Sequence, residues 1–576
     1  MDWTSVFDET GEEEIIIPQL IGEHPTETRL VRLVNKIYFA EECSSEIRDH
    51  RLMEMSEWPV LPPSYSLKAL YYLSINYILG VGCLGVPYAF AKAGFLLCSA
   101  ILLLVTIFSY MTVMWVAETG ERYEISIQRH KSGNDTEATE ATSLCNVATR
   151  SKSLDALSSA SDVKRYEVID LVSHYLGPIH KSIYQASLLF LMYVGLLAYT
   201  QVFCGSIAAL VWSDGDPPLG LSQLFFAAIV IPLSCMELDE QVSMQSLMAT
   251  ARFVAIFIMV AGSLLALFVD DSEERKSGIE VNDRPPYWAP AEPDGCHMSY
   301  TACFPGFGVA FSTALFSQLF QHSVPGLLRP LREQPQLLGK APRTFGASLL
   351  TTSSFYLLLG ISAASFFGAD TKPSVNLNFA HFYFGFNEET ASPWILRLLD
   401  VASSIVVIFP ALDTISVFPL IANTLGNNLY ASTSPSFLKW IARHLATLPG
   451  TPQSRRARGR YIDLSLDDRK ALLQRASQIS NIFWRLVAAI PPLVGSIWAT
   501  DLSFSLLLSG VAGLYVAFFA PSLLQLSSSR IVKEATRFRG WYSSPTLTYP
   551  VIGFACFALW MVVSQIDDAW QTMHPR

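Results

Sequence analysis

Charge is what this sequence is short of. Lys, Arg, Asp and Glu together make up 16% of its 576 residues, where an average soluble domain carries about 25%. Hydrophobic residues make up 51% and the mean hydropathy is +0.32, so the bulk of the chain belongs in a bilayer. The nine cysteines include no Cys-x-x-Cys pair, which excludes the usual zinc spacing and a disulfide scaffold. A nucleophile–base pair, a metal-ligand cluster and a phosphate loop are also lacking, so no enzyme and no cofactor is expected. The N-terminus, "MDWTSVFDETGEEEIIIPQL", is acidic where a secretory signal is basic, and the first membrane helix is expected to lead insertion. A net charge of −10 argues against a nucleic-acid partner.

What is present is a series of apolar runs of about 20 residues or more, long enough to span. They fall near 67–91, 94–118, 181–211, 220–237, 243–269, 304–328, 344–368, 393–425, 478–500, 503–526 and 547–566. The fold class expected is therefore an all-α polytopic membrane protein with eleven transmembrane helices. Residues 1–65 form a polar tail, the part that would meet a cytosolic partner. A Ser/Thr/Ala-rich stretch, 129–165, reads as a mobile loop. The segment "VIDLVSHYLG" after it reads either as an interfacial helix or as an extension of the third span.

Lysine and arginine are distributed very unevenly between the loops. The loops 119–181, 329–343, 430–477 and 527–546 hold 25 of them, and the alternate loops only 4. This places the N-terminus in the cytosol and the C-terminus outside or in a lumen, and leaves the sequon at Asn134 on the cytosolic side. The clusters Arg455–Arg460 and Arg537–Gly540 then face anionic lipid. The outer loop 271–303 is acidic and carries Cys296 and Cys303, which an oxidising compartment would join or leave as free thiols. The membrane itself is left open between the plasma membrane and an endolysosomal or vacuolar one.

Span one contains "SINYILGVGCLGVPYAF", three glycines and a proline where a helix should be unbroken. Span six, "FPGFGVAFSTALFSQLFQHSVPGLLRPL", carries Gly306, Gly308 and Pro325. Interrupted spans at matching places of two successive groups of five point to an inverted-repeat transporter with its site at the midplane. The divisions are then 66–270 for the first repeat with its cytosolic loop 119–180, 304–526 for the second with the loop 430–477, and 527–576 for the linker and an appended eleventh helix. Unwinding at Gly80, Gly82, Cys83, Leu84 and Gly85 would offer amide groups to a carboxylate and carbonyls to an ammonium. With Phe311, Ser312 and Thr313 of span six these residues make the expected substrate site. The competing reading is that the small residues only let helices pack closely.

Polar residues inside the spans supply the rest. Asn76 lies one turn before the first glycine and is read as an ion ligand or an interhelical hydrogen bond. Asp413, inside "VVIFPALDTISVFPL", is expensive in lipid unless paired or protonated. It is read as an ion or proton site with Thr414 and Ser416, or as the partner of a cation such as Arg252. His322 is read as a proton relay or gate, or as a hydrogen-bonded structural residue.

The motif "NYILGVGCLGVPYAFAKAGF" resembles the first-helix signature of the amino acid/auxin permease family. "FQHSVPGLLRPL" is similar to its His–Pro element, "FPLIANTLGNNLY" to its Phe-Pro segment and "GVAGLYVAFFAPSLLQL" to its Gly…Pro pattern. "QHSVPGLLRP", "TISVFPLIANTLGNNLY" and "LNFAHF" are closest to the transmembrane protein 104 branch of that family. The resemblance covers roughly 67–566. It implies five plus five inverted-repeat helices with an eleventh, a LeuT-like fold, and secondary transport of amino acids driven by sodium or protons. In sodium-coupled members the asparagine matching Asn76 serves the cation, and a hydroxyl stands near Asp413, so the carboxylate here departs from the family pattern. Two other functions fit the residues: a non-transporting sensor or scaffold, and an intramembrane enzyme using His322 and Asp413.

Overall fold

The computed structural model describes residues 66–141, 166–211, 220–235, 242–269, 302–332, 334–380, 382–386, 391–431, 441 and 466–573. The polar tail, nearly all of the acidic outer loop, the 442–465 stretch with Arg455–Arg460, and Cys296 lie outside the described residues. Cys303 is disulfide-bonded. No strand occurs among the described residues.

Helices stand at every place where an apolar run predicted one. Span one is two helices, α1 (Leu67–Ile78) and α2 (Gly82–Ala93), bent by 56°. Then come α3 (Phe95–Ala141), a short α4 (Val168–Leu176), α5 (Pro178–Val211), α6 (Leu221–Cys235) and α7 (Val242–Val269). Span six is α8 (Phe307–Ser317) and α9 (Val324–Leu328), followed by α10 (Ala341–Phe367), α11 (Pro393–Ala431) and α12 (Leu466–Gly495). Span ten is α13 (Leu502–Leu514) and α14 (Ala520–Ile531), joined by a π-helical turn at Tyr515–Phe519, and α15 (Thr548–Met573) ends the series. Among the described residues, seven helices are by themselves long and apolar enough to cross a bilayer, or eight with the bent pair. Large apolar side chains such as Leu224, Phe268, Leu350 and Trp560 point outward, as they must where the surrounding solvent is lipid. The chain is an integral membrane protein.

Local chemistry explains the joints. Ser66 caps α1 by accepting from the Ala69 amide at 3.2 Å, and Asp501 caps α13 by accepting from the Ser503 amide at 2.9 Å. Gly94 and Gly177, at φ of 81° and 86°, end α2 and α4 in a conformation glycine tolerates best. The Gly177 turn separates α4 from α5, so the segment is not an extension of the third span. Its apolar face, Val168, Leu171, Val172 and Tyr175, is buried, and His174 meets the Tyr123 ring edge-on at 5.0 Å.

Two sequence expectations change. Residues 119–141 continue α3 as helix, so the loop expected from 129 begins no earlier than 142. Once the apolar stretch has nucleated a helix, each further residue adds one hydrogen bond at little cost. Within the cluster Arg537–Gly540, the Arg537 amide donates to the Glu121 carboxylate at 2.7 Å and the guanidinium lies 3.4 Å from it, so Arg537 serves a contact within the protein.

The middle of α3 is fastened to the end of span ten through a fully buried carboxylate. Glu118 accepts from Arg122 at 2.8 Å and from Gln525 at 3.0 Å, and also from the Ser543 hydroxyl. Arg122 in turn donates to Gln525 at 2.7 Å and to Ser528 at 2.9 Å. Trp115 donates to the Tyr542 carbonyl at 2.7 Å. This network holds α3, α14 and the turn before α15 together.

Candidate functional site

The break in span one is three residues long. The Leu79 amide still reaches Ile75 O at 2.8 Å, and the Gly80 amide folds back onto Ile78 O at 2.9 Å. Helical hydrogen bonding then restarts, with Cys83 N on Gly80 O at 3.2 Å and Leu84 N on Val81 O at 3.1 Å. Unwinding is therefore confined to Leu79–Val81, and Gly82, Cys83, Leu84 and Gly85 form the first turn of α2. A helix end leaves its last four carbonyls without helical donors, and in a membrane interior water cannot serve them.

Other spans serve them. Arg252, on α7, donates through Nη1 to Asn76 O at 3.3 Å, to Asn76 Oδ1 at 3.0 Å and to Leu79 O. Its Nη2 grips both carboxylate oxygens of Asp413, on α11, at 2.7 and 2.9 Å. Both residues are buried, 5% and 4% exposed. Removing two charges from water costs several kcal/mol per ion, so such a pair persists only where the remaining donors and acceptors are used. Here the two Nη groups of the guanidinium meet a carboxylate on one side and backbone carbonyls on the other, and Nε alone is left without a partner. Tyr356, on α10 and 1% exposed, places its hydroxyl 3.0 Å from Ile78 O and 3.0 Å from Ser317 O, the last residues of α1 and α8. Tyr199, on α5, brings its hydroxyl to 3.4 Å from where a Cβ on Gly80 would stand. Four spans thus converge on the broken end of a fifth.

The predicted residues divide. Asn76 and Asp413 meet at Arg252, and the pairing of Asp413 with Arg252 is one of the two readings the sequence allows. Cys83 is buried in the first turn of α2. Thr414 donates to Ala411 O at 2.8 Å and Ser416 to Asp413 O at 2.9 Å, so both hydroxyl protons return to their own helix. Gly82 and Gly85 face Ser317 and Thr313 in antiparallel register: a methyl on Gly82 would come within 2.7 Å of Ser317 Oγ, and one on Gly85 would touch Thr313. In this conformation these residues, with the buried Leu84, pack α2 on α8, as small residues do in membranes. Ser312 faces Gly510 on α13. Phe311 stacks on Phe307 at 6.1 Å and lies near Phe518 and Phe554. It is not brought to the break, because two residues of helix turn it about 200° from Thr313.

Span six breaks at Gln318–Phe320, away from its glycines. Gly306 abuts the Lys92 carbonyl and Gly308 the Gln565 amide, so both serve close packing. Gln318 donates to Thr106 at 2.9 Å and Gln321 to Thr112 at 3.2 Å, which ties the break to α3. Ser312 Oγ, Ser317 Oγ and Gln318 Oε1 are buried without a partner. His322 follows in the turn Gln321–Ser323, against the π-helical turn of span ten, and its Nδ1 is buried without a partner. Among the described residues no bond joins it to Asp413. Tyr199 and Tyr356 were missed by sequence reasoning, since nothing in their surroundings marks them. Arg252, a lone cation in an apolar run, carried a signal that its neighbours did not sharpen.

Comparison with known proteins bears on the family. No family model matches the chain. It is 22% identical over 377 residues to the Transmembrane protein 104 homologs of Caenorhabditis briggsae and Caenorhabditis elegans, covering 61% of this chain and 66% of each relative. The chain thus spans just under two thirds of those relatives. The Transmembrane protein 104 homolog of Dictyostelium discoideum is 22% identical over 513 residues, 82% of this chain and 90% of that one. These relatives support the likeness to the transmembrane protein 104 branch. Among solved structures, a manganese transporter of Eremococcus coleocola is similar at 12% identity over 89% of this chain and 97% of its own, with a TM-score of 0.38. The same transporter with an aromatic bis-isothiourea compound gives 11%, 88%, 97% and 0.38. Scores this low carry no argument about fold or cargo.

Proposed function

We propose that this protein is a secondary active transporter of small zwitterions, amino acids above all. It works by alternating access in a five-plus-five inverted repeat with an eleventh helix, as the amino acid/auxin permease resemblance implies. One observation carries the reading: the broken end of span one sits within the bundle, its carbonyls held by a guanidinium that is itself held by a carboxylate. A solute ammonium competes for the same carbonyls, and the restarted helix turns its amide end toward a carboxylate. The partnerless Ser317 hydroxyl and Gln318 Oε1 stand at the second break, where a polar solute has bonds to gain.

The guanidinium occupies the place where a sodium-coupled carrier would bind its ion, between Asn76, the span-one carbonyls and Asp413. Transport is accordingly independent of sodium. Asp413 is the group that takes up a proton when Arg252 leaves it, because a lone carboxylate in that position is costly. No bond-making chemistry is assigned, and the partners are lipid, solute and a cytosolic contact of the tail. The N-terminus is cytosolic by the lysine and arginine bias.

The test is uptake of a mixed radiolabelled amino acid pool into proteoliposomes under a proton gradient, a sodium gradient or neither. Proton-driven uptake that ignores sodium and disappears in Asp413→Asn is the expected result. Uptake that requires sodium overturns the role given to Arg252. Folded protein that binds an amino acid yet moves none under any gradient overturns transport in favour of a sensor. The tight α2–α8 packing at Gly82 and Ser317 favours that second reading, since it leaves the two breaks in contact.

A further inference from the structure

Span seven touches both broken spans. α10 is laced to α1 by the Thr351 hydroxyl, 2.9 Å from that of Tyr71, and by the Tyr356 hydroxyl at Ile78 O. It is laced to the end of α8 by Ser353, 2.9 Å from Thr106, and again by Tyr356, at Ser317 O. The Thr106 proton goes to Leu102 O at 2.6 Å, so Thr106 accepts from Ser353 and from Gln318 alike. Tyr356 thus stands between the last carbonyl of α1 and the last carbonyl of α8, 3.0 Å from each.

A phenol has one proton to give, and the two carbonyls are not equally placed to do without it. Ile78 O also accepts from the Gly80 amide at 2.9 Å, the bond that folds the first break. Among the described residues no other donor is bonded to Ser317 O. While the Gly80 amide stays on Ile78 O, the proton belongs at Ser317 O, and both helix ends are served. Once the Gly80 amide leaves, Ile78 O is bare where water cannot serve it. The phenol then reaches it by turning its O–H bond alone, because its oxygen already lies within hydrogen-bond distance of both carbonyls.

We propose that Tyr356 is a two-position hydroxyl switch, a positioning residue that couples the two breaks by lending one proton to either. Opening the Leu79–Val81 turn gives the proton a second place to go. Release of Ser317 O then becomes easier by the worth of one ordinary hydrogen bond, about fivefold. Coupling is reciprocal, so release of the α8 end eases the opening of the first break by the same factor. The half-helices that end at Ile78 and Ser317 loosen together, and they do so with no solute bound. The inference concerns the breaks themselves and does not rest on transport.

The test is a double-mutant cycle read by amide hydrogen exchange in the full chain in nanodiscs. Tyr199→Phe removes the hydroxyl that takes a hydrogen bond from the Val81 backbone, and so loosens the first break. In the native background it should speed exchange across 318–320 about fivefold. With Tyr356→Phe already in place it should leave that exchange unchanged, because the lent proton is gone. An amino group in place of the phenol oxygen, p-aminophenylalanine for Tyr356, separates a switch from a mere support. Its two N–H donors serve both carbonyls at once, so exchange across 318–320 should keep its native rate and no longer respond to Tyr199→Phe. Equal effects of Tyr199→Phe in the native and Tyr356→Phe backgrounds put the coupling in packing and overturn the proposal, as does no effect in either. If Tyr356→Phe fails to fold, the p-aminophenylalanine chain decides: a full response to Tyr199→Phe there overturns the switch. No arm measures flux, so a chain that carries nothing passes or fails on coupling alone.

Discussion

Arg122 and Arg252 are both buried beside a carboxylate, and they do opposite jobs. Arg122 and Glu118 sit one turn apart on an unbroken helix, and their spare hydrogen bonds go to side chains, those of Gln525, Ser528 and Ser543. Arg252 and Asp413 come from different helices, and the spare bonds go to backbone carbonyls that a broken helix has left open. The first pair joins elements that would exist without it. The second replaces the hydrogen bonds of a helix that stops inside the membrane, so its geometry and that of the break stand or fall together.

The comparison can be broken most forcefully at Asp413. Asp413→Ala strands a buried guanidinium and should lower stability by about 3–5 kcal/mol, read as a fall in thermal unfolding temperature of the purified protein, with loss of uptake. Replacing both partners, Arg252→Met with Asp413→Leu, should recover most of that stability and none of the uptake. A double variant that still transports would show the pair to be structural only. Next in size is Glu118→Gln, which keeps the shape and exchanges charge-assisted bonds for neutral ones, at about 1–3 kcal/mol in total. It should lower stability while leaving uptake per folded molecule unchanged, and an equal loss of uptake would erase the distinction between the pairs.

Tyr356→Phe sharpens the contrast on the other side. One hydroxyl proton faces two carbonyls, so its loss should cost about 1 kcal/mol but slow uptake markedly, as measured in proteoliposomes. The smallest effect is expected at Arg129, whose pairing with Glu534 joins α3 to the linker at the surface, with the two side chains 55% and 53% exposed. Arg129→Ala should change the unfolding temperature by the equivalent of less than about 1 kcal/mol.

The parts of this arrangement legible from sequence are those written in composition. Apolar runs located the helices, and Gly80-x-Gly82 located the first break to within three residues. The second break escaped because Gln318, Leu319 and Phe320 contain no glycine or proline; tertiary bonds to Thr106 and Thr112 hold it, and such bonds leave no local mark. Gly306 and Gly308 misled because a glycine for close approach looks the same as a glycine for unwinding. Asp413 and Asn76 were found by their polarity in an apolar setting. That Arg252 joins them depends on which faces of α7 and α11 meet, and hydropathy does not record that. Phe311 was placed in the site by proximity in sequence to Ser312 and Thr313, and helical rotation turns it away.

One property of the Arg252–Asp413 pair reaches beyond stability. Guanidinium and carboxylate together carry no net charge, so moving them with the spans through the membrane voltage does no electrical work, where a single unpaired charge would contribute about 2.3 kcal/mol per 100 mV. The Arg252–Asp413 pair, while it holds, therefore adds no gating charge. Under the proposed transport cycle, a steady current during turnover therefore counts the ions that cross with the solute.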